Sequence, residues 1–135
     1  MDKVVAPLER AVHALGLRLS WPGVTQAEAH VLARLAGGPA SLGELHRSFG
    51  HQRSTLTAVV DRLEAKGYVA RAVNPDDRRS VIVTLTATGR PAARRARGAV
   101  RAVEEAVSAA CSPRDLAGFA RVISYLATTA PPKQS

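Results

Sequence analysis

Around Gly67 the hydrophobic period of this chain changes from helical to strand, and few small folds accommodate that switch. On the N-terminal side, Leu56, Val59, Val60 and Leu63 follow the i, i+3, i+4, i+7 spacing of one helix face, within a segment from His51 to Lys66. On the other side the period is two: Tyr68 to Val73 and Ser80 to Leu85 read as paired strands, joined by a polar loop from Asn74 to Arg79. A two-stranded hairpin is barely stable in water by itself, so it must lie against the helices that precede it.

The flanking segments are helical and carry their own start signals. Leu8, Val12, Leu15 and Leu19 form one stripe that should end near Ser20, before the turn residues Trp21-Pro22-Gly23. Thr25 and Glu28 make a capping box that opens a second helix, with Ala29, Leu32 and Leu35 inward and Gly37-Gly38-Pro39 as its stop. Ser41 and Glu44 repeat the box and open a shorter third helix, with Leu42, Leu45 and Phe49 on its buried side and Gly50 as its end. A long helix is expected from about Ala87. Its Ala93, Ala96, Val100, Val103, Val107 and Ala110 alternate steps of three and four, a narrow seam that lets another helix approach closely. Ser112-Pro113 with Asp115 opens a last helix, in which Leu116, Phe119, Ile123 and Leu126 should face inward. The predicted class is mainly α with a small antiparallel β-hairpin: four helices, the hairpin, then two helices.

The length of 135 residues fits one domain with a real core. Hydrophobic residues make up 46% and aromatic ones only 4%, so that core must be built mainly from Leu, Val and Ala. The single cysteine, Cys111, excludes an intramolecular disulfide framework and fits a reducing compartment. No run reaches the apolar length of a membrane span, and the first residues mix charges among apolar positions unlike a secretory signal, so a cytoplasmic protein with no membrane partner is expected. Lys and Arg outnumber Asp and Glu by 19 to 11, a net charge of +8, which favours a polyanionic partner. The position of those charges decides which polyanion.

They sit on a recognisable geometry. A short capped helix, a glycine turn, a second amphipathic helix and a charged hairpin make a winged helix-turn-helix, whose second helix enters the DNA major groove by its N-terminal part. Gln52, Arg53, Ser54, Thr55 and Thr57 there are polar and short, and Ala58 can meet a thymine methyl. Ser54, Ala58 and Asp61 lie opposite the apolar stripe, giving the low relief that a groove-facing surface needs. Arg62 lies at the flank, suited to phosphate, and Ser41 at the start of the third helix completes the candidate set. Arg78 and Arg79, expected at the loop tip, can reach the narrow, negative minor groove. Asp77 is expected to hold an arginine in a fixed rotamer by a charge-assisted bond.

The stretch from Arg53 to Val69 (RSTLTAVVDRLEAKGYV), then Asp76 to Thr86 (DDRRSVIVTLT) and Gly89, closely resembles the multiple-antibiotic-resistance regulator (MarR) family. The Asp-x-Arg of that family's wing matches Asp77 and Arg79, and its Leu-Thr-x-x-Gly matches Leu85 to Gly89; helix order agrees from about Leu8 to Ala130. The resemblance implies an obligate homodimer whose first and last two helices interdigitate, palindromic operators, and repression relieved by a small, often aromatic, ligand. That ligand would lie between the dimerisation and DNA-binding parts, where His13, Arg18, Trp21 and His30 are candidate pocket residues.

The expected organisation is a single domain over residues 1–130. Residues 25–86 form the DNA-binding part, 1–20 with 87–130 the dimerisation part, and 131–135 a flexible tail. Arg90, Arg94, Arg97 and Arg101 read as a solvated face balanced by Glu104 and Glu105. Cys111 reads as a buried or bystander thiol, since redox-sensing members of the family carry theirs near the first helix. His13, His30, His46 and His51 lack metal-ligand spacing, and no nucleophile with a base, phosphate loop or carboxylate pair is present. Neither a metal, a cofactor nor catalysis is expected. A winged-helix protein-docking module and a sequence-neutral nucleoid-type binder are the alternatives to a sequence-specific regulator.

Overall fold

The computed structural model describes residues 2–49 and 53–129. The side chains of Phe49, Arg53 and Ser54 fall outside that set. So do the expected helix start at His51, the groove candidate Gln52 and the tail at 131–135. The elements run α1 (Val5–Arg18), α2 (Gln26–Leu35), β1 (Ala40–Ser41), α3 (Leu42–Phe49), α4 (Arg53–Ala65), β2 (Val69–Asn74), β3 (Asp77–Leu85), α5 (Gly89–Ala110) and α6 (Pro113–Thr128). They divide into two compact units, Met1–Val100 and Arg101–Ser135.

The core of the first unit is aliphatic, as composition requires. Leu32 of α2, Leu45 of α3, Val60 and Leu63 of α4 and Val83 of β3 are completely buried. Ala93 and Ala96 of α5 belong to the same cluster, where small side chains bring the helix axis close. Both reciprocal bonds of the Thr25–Glu28 box form, and so do those of Ser41–Glu44 and Ser112–Asp115. The change of period is made at Gly67, whose φ of +77° is costly for a residue with a β-carbon. Tyr68 N–H then donates back to the Leu63 carbonyl at 2.9 Å and Gly67 N–H to Glu64 at 2.9 Å, a Schellman-type stop.

The sheet has three strands in the order β1-β3-β2, all antiparallel. The expected hairpin is present, but β1 joins its other edge through Ala40↔Val83 and Ser41↔Ile82. Two residues are too few to display a period, and their extended form depends on the partner strand. The wing turn is also tighter than the expected loop. Asn74 pairs with Asp77 around Pro75-Asp76, and the Asn74 side-chain oxygen accepts from Asp76 N–H at 3.0 Å. Asp77, Arg78 and Arg79 therefore belong to strand β3 and not to a loop.

On α1, Leu8 and Leu15 are half-buried and Leu19, just past the helix, is buried, whereas Val12 and Leu17 are exposed. In the second unit, Leu116 and Ile123 are half-buried, but Phe119 is 62% and Tyr125 72% exposed, and Val122 and Leu126 are also open. The inward placement expected for Phe119 and Leu126 is thus not met within one chain. No helix among the described residues is long and apolar enough to cross a membrane.

Candidate nucleic-acid interface

Helix α4 owes its two faces to its spacing. Leu56, Val59, Val60 and Leu63 are buried, which leaves Thr55, Thr57, Ala58, Asp61 and Arg62 exposed on the opposite side. Among the described side chains of that exposed side, Thr55, Thr57 and Ala58 are short, so a duplex can approach the helix backbone there.

The wing presents Arg78 and Arg79, both exposed. Adjacent strand residues point to opposite faces. Arg79 shares its face with Val81 and the buried Val83, and it lines a cleft of about 530 Å3 with Ser41, His46, Arg47, Leu56 and Thr57. The groove helix, the third helix and a wing arginine thus border one concavity. Ser41 is half-buried there, its hydroxyl oxygen accepting the Glu44 N–H at 3.0 Å. Among the described residues Asp77 holds no arginine side chain: its Oδ1 accepts the Arg79 backbone N–H at 3.0 Å. The side chain is short enough to close a turn on its own strand, and that local bond costs less chain entropy than reaching a mobile guanidinium.

Two ionic ties fix α4 against its neighbours, and sequence reasoning found neither. In the first, Arg71 of β2 donates from Nη2 to Asp61 Oδ1 at 2.6 Å and to the Thr57 carbonyl at 3.5 Å, and from Nη1 to Glu64 Oε1 at 3.3 Å. Asp61 therefore faces the wing strand rather than standing free towards a groove. The second centres on Glu28 of α2, only 1% exposed. Lys66, beyond the end of α4, donates to Glu28 Oε2 and, at 2.6 Å, to the Gly23 carbonyl, while Arg62 Nε lies 3.8 Å from Glu28 Oε1. Burial alone would push the Glu28 carboxyl up. Hydrogen bonds from Lys66 and Thr25, with the Lys66 charge, outweigh it and hold the carboxyl below the ordinary glutamate range. Arg62 stays half-exposed beside this pair, compatible with the expected phosphate contact.

His46 and Arg47 were also missed as members of the cleft; the His46 Nδ1 is buried without a hydrogen-bond partner among the described residues. Only packing against β3 brings them to Arg79, and no spacing in the sequence signals it.

The candidate ligand residues are dispersed. His13 and Arg18 are exposed on α1, and His30 is half-buried on α2. Trp21 lies beneath Arg95 of α5, with the guanidinium carbon 4.5 Å from the ring centroid. It lines a recess of about 450 Å3 with Thr25, Gln26, Glu28 and Lys66, in which His13, Arg18 and His30 take no part. Cys111 is exposed, which removes the buried alternative of the expected buried or bystander thiol and leaves the other standing.

Comparison with known proteins agrees with this geometry. The profile of the MarR family matches residues 23–80, from the turn before α2 into the wing. Over 109 residues the chain is 35% identical to the HTH-type transcriptional repressor Mb2911 of Mycobacterium bovis, covering 80% of this chain and 78% of that protein. The chain belongs to the MarR family. A second relative, the HTH-type transcriptional regulator YcgE of Bacillus subtilis, is 54% identical over 52 residues, 38% of this chain and 34% of that one. Among solved structures, the C80S mutant of E. coli MarR complexed with operator DNA superposes with a TM-score of 0.65 at 25% identity, covering 89% of this chain and 93% of that one. MarR-family relatives of this kind are DNA-binding transcriptional regulators, not enzymes, and the six helices with a small sheet found here are their winged-helix architecture.

Proposed function

We propose that this MarR-family chain is a homodimeric, cytoplasmic repressor that binds a pseudo-palindromic operator, α4 in the major groove and the wing in the flanking minor groove. The observation that carries the reading is the single cleft shared by Thr57 on the exposed side of α4 and Arg79 on the wing. A groove-reading helix and a minor-groove arginine need that relation to serve one duplex. The E. coli MarR structure with operator DNA and the mycobacterial repressor supply the analogy for operator binding and for repression.

Dimerisation rests on uncovered apolar surface. In the second unit Phe119, Val122, Tyr125 and Leu126 stand open on one helix, and in the first unit Val12 and Leu17 stand open on α1. Apolar surface of this kind marks an interface. Two wings on a two-fold axis would place the recognition helices ~34 Å apart, one DNA turn. Release by a small aromatic ligand belongs to the same proposal. Trp21 is the best-placed of the four candidates, because it walls an open recess beside Lys66.

The test is fluorescence anisotropy with a duplex selected from genomic fragments, at physiological salt, against excess scrambled competitor. Binding that survives the competitor is expected; equal loss to any duplex would make the protein a charge-driven binder. Sedimentation equilibrium should give a dimer, and a folded monomer at micromolar concentration would overturn that part.

A further inference from the structure

We infer that Arg71 is a positioning residue for DNA binding: it sets the angle between the wing and the recognition helix, so that α4 and Arg79 meet one duplex together. The inference rests on the DNA-binding reading above and adds to it a residue that touches no DNA.

The geometry is specific. One guanidinium bridges Thr57, Asp61 and Glu64, positions four and three residues apart on one face of α4, nearly two turns of helix. Its side chain is 25% exposed, so these bonds are partly shielded from solvent and from salt. Across the hairpin Arg71 pairs with Val83 of β3, a completely buried residue. Beyond that rung neither strand contributes a buried residue up to the turn at Pro75-Asp76. The rung is therefore the last that carries a completely buried residue, and β1 reaches only one rung further, at Ser41↔Ile82. Four residues of strand from Arg71 to the turn span ~13 Å. A tilt of ~10° at the rung would move the tip by ~2 Å, enough to cost a hydrogen bond its geometry. A planar fork can fix such an angle where a point charge cannot, because its donors have set directions.

Charge makes an opposing prediction, which separates the two explanations. Asp61 is 58% exposed and negative on a helix that approaches a polyanion. If the pair mattered only through charge, deleting Asp61 would tighten DNA binding. If Arg71 is a positioning device, deleting Asp61 removes its strongest anchor and weakens binding.

The experiment uses the full chain and the selected duplex of the previous section, with thermal melting of each variant as a folding control. Asp61→Ala is expected to weaken binding several-fold despite removing a negative charge; unchanged or tighter binding overturns the proposal. Arg71→Gln is expected to weaken binding about tenfold, near the middle of the coupling range for groups sharing a network. In that background Arg79→Ala should cost less than about twofold more, far below its effect in the unaltered chain, because a misaimed wing has little left to lose. Additive losses at these two residues, which do not touch, would overturn it. Arg71→Lys should behave like Arg71→Gln, and wild-type affinity in that variant would overturn the geometric role. Should the Arg71 variants fail to fold, Asp61→Ala decides the matter, since alanine at an exposed helix position is well tolerated. Failure of the unaltered chain to prefer its operator would instead overturn the DNA-binding reading, which is a separate outcome.

Discussion

Gly89 lies against the Tyr68 carbonyl so closely that a β-carbon at Gly89 would stand 1.9 Å from that oxygen and 2.7 Å from its carbon. The obstacle is backbone, held in place because the same oxygen accepts the Thr86 N–H at 3.0 Å. Gly89 itself donates to the Thr86 hydroxyl at 3.1 Å, so the start of α5 is tied to the base of the wing. Gly89→Ala should therefore destabilise the fold by about 1–3 kcal/mol, the range for overpacking, or more if the joint cannot open. Urea denaturation checks it, and a change below about 0.5 kcal/mol would show that the contact relaxes freely.

The buried Glu28 makes stability depend on acid. Its carboxyl is held below the ordinary glutamate range in the fold, so its contribution is fully present above the unfolded value of 4.5. That contribution is lost as pH falls through the lower folded value. The urea midpoint should drop as pH falls below the ordinary glutamate value of 4.5 in the native chain, and less steeply in Glu28→Gln. At neutral pH Glu28→Ala should cost roughly 2–3 kcal/mol, at or below the range for a fully buried pair, because Lys66 keeps about a third of its exposure. An identical acid limb in native and Glu28→Gln proteins would remove Glu28 as its source.

Arg79→Ala should weaken operator binding by about 1–3 kcal/mol and lower the salt slope by about one unit. For the unaltered protein, log affinity should fall linearly and steeply with log salt, as phosphate contacts release counterions. Anisotropy titrations across a salt series measure both, and a flat response would exclude the phosphate-anchored mode.

Trp21 is the only tryptophan, and it carries the Arg95 guanidinium on its face. Arg95→Ala should change the emission of that residue and cost about 0.5–1 kcal/mol, as for a partly exposed cation–π pair. If an aromatic ligand enters the recess beside Trp21, the same emission should respond on titration, and a silent tryptophan would place any effector elsewhere.

The wing illustrates how far residue patterns reach. Val69, Val83 and the α4 stripe were legible because burial imposes a period, two on a strand and 3.6 on a helix, that one chain displays alone. The capping boxes at Thr25, Ser41 and Ser112 were legible because both bonds of each lie within four residues. Arg78 and Arg79 read from the sequence as wing residues in a polar loop, whereas the structure places them on β3. The two-residue turn that puts them on β3 depends on the Asn74 side chain and on pairing with β2.

What the sequence by itself determined is therefore much of the short-range structure: the six helices and the hairpin, their stops at Gly67 and Gly37-Gly38, the apolar stripes and the family's wing motif. Only the tertiary structure decided that Arg71 spans Asp61 and Glu64, that Glu28 of α2 meets Lys66 just past α4, that β1 completes the sheet, and that His46 and Arg47 join Arg79 at one cleft. The reason is physical. Each of these depends on groups far apart in the chain, whose meeting is set by how the elements pack, and a charged side chain in the sequence carries no sign of which partner the fold will bring to it.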